Sequence, residues 1–444
     1  MNSQHEYVLR TVEERGIRFI QLWFTDVLGT PKTFQITPAE LENALEEGMT
    51  FDGSAVDGFS RIQEADVLAR PDASTFQMLP LGDGTASTAR VFCDVVNLDG
   101  TPFEGCPRQA LRRVLRSAHD QGYTFFTSPE IEYFYFQDLD PATALKPLDS
   151  GSYFDLALAD LPSELRRQTV LTLEEMGIPV EHAQHEDAPS QHEIDLRYTD
   201  ALTMADSVIT TRLIIKEIAR SAGVAASFMP KPLGGEQGSG MHTHVSLFKD
   251  GKNAFADASD PYGLSVIARS FIAGVLTHAN EFTAITNQWI NSYKRLVPGH
   301  EAPVHISWAR NNSSALVRVP VVKAGRLDST RIEYRAPDSA ANPYLTFAVI
   351  LAAGLAGIER HYTLPDEATG NLFELQAFER ETAGVRQLPS NLNDAVDAVE
   401  GSQLVRDTLG DHIVEWFIRN KREEWSSYKG EISAFELNRY LPRL

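Results

Sequence analysis

The chain has 444 residues, of which 43% are hydrophobic and 23% are charged, a composition typical of a folded globular protein that excludes a disordered or fibrous one. Acidic residues outnumber basic ones by 61 to 40, and the formal charge of -21 disfavours nonspecific binding to nucleic acid or to anionic membranes. The length exceeds that of a usual single hydrophobic core, so we expect a small and a large domain, or one elaborated domain.

The start of the chain is charged where a secretory signal would need an apolar stretch. The longest apolar run, residues 347–358, contains paired glycines and is too short for a membrane span, which predicts a buried helix. The two cysteines, Cys93 and Cys106, are too few for a disulfide framework or a thiolate metal cluster. Together these features predict a cytoplasmic protein with no membrane partner.

The first hundred residues predict a small α+β unit, with a helix near 4–15 followed by short strands within 17–36. Glycine and proline cluster at 97–107, before an amphipathic helix, which predicts domains at 1–105 and 106–444. The larger domain mixes strands and helices. Strands are expected at 124–136, 241–248 and 329–337, and helices near 162–176, 200–222, 262–285, 342–360 and 411–427.

Glu130 and Glu132 are two residues apart in the strand expected at 124–136. This spacing puts both carboxylates on one face of the strand, while Ile131 and Tyr133 lie on the other. Two acids so close repel each other unless a cation lies between them or one is protonated. The segment therefore predicts either a divalent metal site or a strand with one solvated face.

Acids and imidazoles also gather around a proline-containing turn at 184–195. Pro189 breaks any helix there, and the spacing of the histidines does not match the helical zinc motif. Carboxylate ligands favour Mg²⁺ or Mn²⁺ over zinc. The alternative is a solvated acidic loop.

A glycine-rich turn at 238–240 leads into a strand in which His242, His244 and Ser246 share one face. The glycines allow backbone N–H groups to approach a ligand closely, and the polar side chains suit metal, phosphate or adenine. No Walker A lysine follows, which excludes an ordinary P-loop. A hydrogen-bonded structural histidine is the alternative reading.

Arg331, Glu333 and Arg335 alternate along a further strand. The pattern predicts an arginine clamp for phosphate or carboxylate, or else a structural salt-bridge ladder. The proline- and glycine-rich loop at 291–303 adds Arg295 and Glu301 and is typical either of a mobile lid or of an irregular surface loop.

Seven segments occur in an order that resembles the type I glutamine synthetases across almost the whole chain. They are FDGS, EIEYF, HED-PSQHEID, MPKP, GSGMHTHVSLF, NSYKRLVPG-EAP and RIEYR-PD-AANPYL. The resemblance implies an α+β fold with a small N-terminal β-grasp-like domain and a larger catalytic domain with a curved antiparallel sheet. It also implies two stacked hexameric rings of identical subunits, with active sites between neighbours.

The resemblance further implies the site residues. One metal ion, Mg²⁺ or Mn²⁺, would be held by Glu132, Glu186 and Glu193, and a second by Glu130, His242 and Glu333. The glutamate-binding positions would be Gln237, Gly238, Arg295, Glu301 and Arg335. The ATP contacts would be Glu181, His244, Ser246, Arg318 and Arg331. Catalytic roles would fall to Asp52, which helps to deprotonate ammonium in a neighbour's site, to Glu301 on a flap, and to Arg318.

The implied reaction joins ammonia to glutamate through a γ-glutamyl phosphate formed with ATP. The main alternatives are a ligase that uses an organic amine and a catalytically weak regulatory or structural relative. They are motivated by Ser313, where the family usually has a phosphate-contacting arginine, and by Ala55, near the ammonium site. Gln237 stands where asparagine is usual.

Two further positions bear on regulation. Phe373 replaces a tyrosine that some relatives have adenylylated, so that form of control is expected to be absent. Arg61 resembles an arginine used for feedback inhibition by glutamine in the type I subtype that is not adenylylated. A role as a surface salt-bridge partner would explain Arg61 equally well.

Overall fold

The computed structural model describes residues 3–58, 66–80, 87–156, 160–299, 302–312, 314–368 and 385–444. Four positions singled out by the sequence lie outside this part of the chain: Arg61, Glu301, Ser313 and Phe373. Within it, no helix is both long enough and apolar enough to cross a membrane.

The N-terminal part folds as a six-stranded sheet with two helices. Its strands are β1 Phe19–Thr25, β2 Pro31–Ile36, β3 Met49–Asp52, β4 Asp66–Pro71, β5 Gln77–Met78 and β6 Thr88–Val96, and its helices are α1 Ser3–Glu14 and α2 Pro38–Glu46. The strand order is β2-β1-β6-β4-β3, with β5 beside β6, and the central pair of β1 and β6 is parallel. Alternate residues of β1, such as Ile20 and Leu22, are fully buried against α1 and α2.

The larger part contains a ten-stranded sheet. Its strands are β7 Thr124–Phe136, β8 Val180–His185, β9 Gln191–Leu196, β10 Thr199–Asp200, β11 Ala225–Ser227, β12 Met241–Lys249, β13 Lys252–Asn253, β14 His305–Ala309, β15 Ala315–Arg318 and β16 Ile332–Tyr334. The main order is β14-β15-β16-β12-β7-β9-β8. All pairs along it are antiparallel except β14 and β15, so the sheet is mixed at one edge.

The larger part also contains helices, several of which cover the apolar face of this sheet. They are α3 Pro107–Asp120, α4 Leu161–Glu175, α5 Ala201–Ser221, α6 Val266–Thr286, α7 Ser292–Arg295, α8 Pro343–Glu359, α9 Leu392–Glu400, α10 Gln403–Leu409, α11 Asp411–Gly430 and α12 Ala434–Tyr440. The predicted α+β class and the five expected helices are confirmed, whereas α2, α7, α9, α10 and α12 were not foreseen. The apolar run at 347–358 lies in the buried helix α8, as expected.

Glycines allow α6 and α8 to lie in close contact. A Cβ atom on Gly274 would stand 2.1 Å from the carbonyl oxygen of Ala353, and one on Gly357 would stand 2.1 Å from that of Ser270. Any larger residue would therefore separate the helices. Gly357, one of the two glycines in the apolar run at 347–358, thus serves helix packing in the core.

A buried arginine joins the two parts of the chain, and we call its surroundings the arginine-centred cluster. Arg108, at the start of α3, is 3% exposed and lies within 2.9 Å of Asp72, 2.8 Å of Asp94 and 2.8 Å of Asp206. Arg112 contacts the first two of these acids as well. Asp72 and Asp94 belong to the N-terminal sheet region and Asp206 to α5, so this cluster fixes one part against the other.

Candidate active site

The polar face of the larger sheet lines a cavity of about 480 Å³, which we call the carboxylate cavity. Its lining consists of Glu130, Glu132, Tyr153, Phe154, His182, Gln184, Glu186, Glu193, Asp195, His242, Arg310, Asn311, Arg318, Glu333 and Arg335. Strand alternation explains its chemistry, since Ile131 and Tyr133 between the two acids of β7 are fully buried on the helical side. All six residues expected to bind metal meet here.

Glu130, His242 and Glu333 form one group, with ligand atoms that all lie within 4.8 Å of one another. They come from three adjacent strands, β7, β12 and β16, and Glu130 is the register partner of His242. His242 Nδ1 lies 3.1 Å from Glu130 Oε2 and 3.7 Å from Glu333 Oε1. Strand pairing therefore brings residues more than a hundred positions apart into one group.

Glu132, Glu186 and Glu193 form the other group. Glu132 and Glu193 are register partners on β7 and β9, and Glu186 follows β8. The backbone N–H of Gly240 and the side-chain amide of Gln191 donate to Glu132 Oε2 at 2.9 and 3.1 Å. The side chain of Glu132 is thereby fixed by hydrogen bonds from the protein itself.

The acids of this second group repel one another. Burial, together with the charge of Glu132, raises the pKa of Glu186 to about 7. Burial and the neighbouring Asp195 raise the pKa of Glu193 well above its usual range, and burial raises the pKa of Asp195 to about 6. A cation placed among these carboxylates would relieve this repulsion.

Glu130 behaves in the opposite way. Burial disfavours its charge, but His244 and His242 outweigh that effect and hold the pKa of Glu130 well below its usual range. His244 Nε2 lies 2.6 Å from Glu130 Oε1. The neighbouring imidazoles therefore lower the pKa of Glu130, whereas burial and neighbouring acids dominate at Glu186 and Glu193.

Three arginines line the carboxylate cavity. Arg318, at the end of β15, donates through Nε to Glu333, and Arg335 Nε lies 3.2 Å from the same carboxylate. Arg310 pairs instead with Glu367, which is not among the described lining residues. Arg318 and Arg335 were expected from the sequence, whereas Arg310 was not among the expected site residues.

A second cavity of about 250 Å³ collects four of the expected nucleotide contacts: Glu181, His244, Ser246 and Arg331. The hydrogen bond between His244 and Glu130 connects this cavity to the carboxylate cavity. Aromatic side chains, including Phe126, Tyr198 and Phe248, supply flat apolar surface in it. Such a surface beside an arginine suits a purine ring and its phosphates.

Other expected residues lie apart from the described lining of the carboxylate cavity. Arg295 is 2% exposed, and its guanidinium donates to the carbonyl oxygens of Ala336 and Arg335 at 2.7 and 3.3 Å. Gly238 accepts a hydrogen bond from Gln191 through its carbonyl, and Gln237 donates to Asp187. These three predicted glutamate-binding residues are therefore not among the residues that line either cavity, and their role stays a prediction.

Asp52 ends β3 in the N-terminal sheet and lines neither cavity. Its carboxylate accepts hydrogen bonds from the backbone N–H and the hydroxyl of Ser54, at 3.1 and 2.9 Å. Ala55 belongs to the short 3₁₀ helix that follows. The structure therefore holds Asp52 in one orientation but away from this chain's own carboxylates.

Asp149, His185 and His192 form a third cluster with ligand atoms within 4.8 Å of one another. Arg166 Nη1 lies 2.5 Å from His192 Nδ1, so this nitrogen accepts a hydrogen bond and the proton resides on Nε2. His185 donates from Nδ1 to the carbonyl of Glu186 at 2.6 Å, and its Nε2 lies 2.9 Å from Asp149. Hydrogen bonds to Arg166, Glu186 and Asp149 thus orient both imidazole rings of the cluster.

Asp195 is the clearest functional candidate that sequence reasoning missed. It lines the carboxylate cavity and pairs with His182 at 2.6 Å. The signal was present, because Asp195 follows Glu193 by two residues on β9 and therefore shares its face. Tyr153, Phe154 and Asn311 gave no comparable signal, since no periodic pattern directs loop residues towards a cavity.

The chain matches two family models, the glutamine synthetase beta-Grasp domain over residues 16–98 and the glutamine synthetase catalytic domain over residues 104–440. The glutamine synthetase of Mycolicibacterium smegmatis is 52% identical over 444 residues, which cover 99% of this chain and 100% of that protein. The glutamine synthetase of Methanosarcina mazei is 46% identical, with 99% and 98% covered. A solved complex of GmaS with ADP superposes with a TM-score of 0.86 at 31% identity, covering 98% of this chain and 99% of that one.

Proposed function

The chain belongs to the glutamine synthetase family and ligates ammonia to glutamate with ATP, and we propose that the carboxylate cavity and the adjoining nucleotide cavity are where this reaction takes place. The observation that carries the proposal is the convergence of six strands on one group of acids, imidazoles and arginines. The two alternatives, an organic amine as substrate and a noncatalytic relative, are not favoured by the glutamine synthetases that the chain resembles over its whole length.

The carboxylate cavity fits divalent cations. Its donors are carboxylate oxygens and one imidazole, the ligands that Mg²⁺ and Mn²⁺ prefer. The raised pKa values of Glu186 and Glu193 support the same assignment, because these acids are buried together. The proposed ligands are Glu132, Glu186 and Glu193 for one ion, and Glu130, His242 and Glu333 for the other.

When bound, such ions neutralise phosphate oxygens and make the phosphorus easier to attack. The other roles belong to the chain. Arg318 and Arg335 present guanidinium groups to the cavity, where we assign them to phosphate and to the substrate carboxylate. Glu181, His244, Ser246 and Arg331 would hold ATP in the second cavity, and the ADP bound by the solved relative supports a nucleotide there.

The reaction proceeds in two balanced steps. An oxygen of the glutamate side-chain carboxylate attacks the terminal phosphorus of ATP, and ADP leaves with the electron pair of the broken P–O bond. The nitrogen of ammonia then attacks the acyl carbon, phosphate leaves, and the nitrogen loses a proton. Water would hydrolyse the acyl phosphate, so exclusion of water is required, a role we assign to Glu301 and its loop.

We propose that the protein is an oligomer with active sites shared between subunits, as two hexameric rings. Asp52 is not among the residues that line either cavity of its own chain, which supports the sharing, because its expected role needs a neighbour's site. The C-terminal segment supports assembly, since Ile432, Phe435 and Leu441 are 70%, 64% and 77% exposed. A cytoplasmic location and feedback inhibition through Arg61 remain predictions. Cys93 and Cys106 are both free and buried.

Phosphate release with glutamate, ATP and Mg²⁺ or Mn²⁺ tests the proposal. Ammonium is expected to support turnover, and chelation of the divalent cation is expected to abolish it. A panel of primary amines replaces ammonium in parallel reactions. Turnover only with an organic amine would contradict the assignment. So would an intact oligomer that shows no turnover with ammonium or with any of the amines.

A further inference from the structure

Arg310 differs from the other arginines of the carboxylate cavity in where its acidic partner lies. Arg318 and Arg335 both pair with Glu333, which itself lines the cavity. Arg310 pairs with Glu367, which is not among the described lining residues. Arg310 thus adds positive charge to the cavity, while the acid that orients it stays outside.

The orientation of Arg310 is closely determined. Glu367 accepts from the Arg310 backbone N–H at 2.9 Å, from Nε at 3.2 Å and from Nη2 at 2.9 Å. The guanidinium carbon of Arg310 also lies over the ring of Tyr262, 4.0 Å from the ring centre. A flat guanidinium held by a carboxylate along one edge and by an aromatic ring on one face loses little further freedom when it binds an anion.

The partner of Arg310 is itself anchored to the sheet. Trp308 of β14 donates from Nε1 to the carbonyl of Pro365 at 2.7 Å, and its own carbonyl accepts from the N–H of Ala368 at 3.0 Å. These two hydrogen bonds anchor the chain on both sides of Glu367, at Pro365 and at Ala368. The position of Arg310 is therefore set by β14 on one side and by the anchored segment 365–368 on the other.

The geometry points to Arg310 as a residue that binds the phosphoryl group passing from ATP to glutamate, with Glu367 and Tyr262 as positioning residues. This inference rests on the proposed function. Ser313 stands where the family resemblance implies a phosphate-contacting arginine. Arg310 supplies a cation from the same segment, three residues earlier. It binds the phosphoryl group electrostatically and is not itself chemically changed in the transfer.

Arg310→Gln tests the inference, with Glu367→Gln as a second variant and Arg167→Gln as a matched control. Arg167 also pairs with a glutamate through two nitrogens, at 2.9 and 2.7 Å, but lies outside both cavities. The holoenzyme is assayed for phosphate release with ammonium. We expect kcat to fall about 100-fold in Arg310→Gln, up to about fivefold in Glu367→Gln, and not in the control.

Nucleotide binding separates a phosphate contact from a structural role. Calorimetry with Mn²⁺ compares ADP with a nonhydrolysable ATP analogue. Arg310→Gln is expected to weaken the analogue about tenfold and ADP less than about twofold. Equal losses for both nucleotides, or equal losses of activity and melting temperature in Arg310→Gln and Glu367→Gln, would mean a structural ion pair and overturn the inference.

Failure of the two proposals can be told apart. If the wild-type protein released no phosphate with ammonium, the assignment of the reaction would fail, yet the binding comparison would still decide the role of Arg310. If the wild type were active and Arg310→Gln retained more than half of its kcat, the reaction would stand and the role of Arg310 would be refuted.

Discussion

Two groups of buried acids in this molecule have opposite electrostatics. In the arginine-centred cluster, Asp72, Asp94 and Asp206 surround Arg108 at 2.8–2.9 Å. Burial works against the charge of Asp72, but Arg108 outweighs it, so its pKa is lowered. In the carboxylate cavity, burial and neighbouring acids raise the pKa of both Glu186 and Glu193.

The difference lies in the source of the positive charge. The first cluster carries its own cation and therefore joins two parts of the chain. In the second group the acids are not fully neutralised by neighbouring cations. A cation bound from outside can therefore supply the missing positive charge. A raised carboxylate pKa inside a cavity thus distinguishes a binding site from a structural ion-pair network better than the number of acids does.

Loss of the internal cation should have the largest effect on folding. Arg108→Met leaves the buried Asp206 and the partly buried Asp72 and Asp94 without their central partner, and we expect the free energy of unfolding to fall by about 3–5 kcal/mol. Chemical denaturation followed by fluorescence measures this loss. Arg112→Met is the matched control, because its side chain is 31% exposed and it touches only two of the acids. Equal losses in the two variants would contradict the central role of Arg108.

Removal of one acid from the cavity should have the reverse signature. Glu193→Gln deletes a proposed metal ligand, and kcat is expected to fall about 100-fold, or about 2.7 kcal/mol in the barrier. The metal-free protein should melt at the same or a higher temperature, because repulsion among buried acids is relieved. Phosphate release and calorimetry measure the two quantities. A large loss of stability without metal would make Glu193 a structural residue.

Much of the cavity could be predicted from the sequence because strands repeat every two residues. The faces assigned to Glu130 and Glu132, and to His242 and His244, are those observed. Alternation cannot, however, reveal which strands become neighbours. That Glu132 faces Glu193 depends on the pairing of β7 with β9, and the family resemblance supplied what periodicity could not.

Loops and buried cations were harder to predict. Arg295 reads as a substrate clamp in a lid-like loop, but in the structure it is buried and satisfied by two backbone carbonyls. Arg310 and Arg108 gave no periodic signal, since an arginine's partner is set by tertiary contacts such as those with Glu367. The short helices α9 and α10 escaped notice because pieces of 9 and 7 residues hold few turns of a periodic pattern.

A change of pH should have opposite effects on what the two groups of acids contribute to stability. The raised pKa of Glu186, about 7, means that its contribution to metal-free stability is present below the ordinary glutamate pKa and is lost as pH rises through about 7. The lowered pKa of Asp72 means that its contribution is present above its ordinary pKa and is lost only in stronger acid.

Melting temperatures of metal-free wild type and Glu186→Gln between pH 5 and 8 test this difference. The wild type should lose stability relative to the variant as pH rises, by at most about 1.4 kcal/mol per pH unit. Added Mg²⁺ at pH 8 should stabilise the wild type more than the variant. Parallel curves with and without the ion would show that the acids around Glu186 do not require an external cation.

The cluster of Asp149, His185 and His192 offers the finest test, because its histidines immediately precede the proposed metal ligands Glu186 and Glu193 yet are paired with Asp149. Asp149→Asn keeps the shape and one hydrogen bond to His185 but removes the charge, so we expect a loss of about 1–2 kcal/mol in stability. Divalent cation affinity, measured by calorimetry, should fall less than in Glu193→Gln. If the cluster were itself a metal site, the variant would lose one bound ion per chain, a change in stoichiometry that a support made of hydrogen bonds cannot produce.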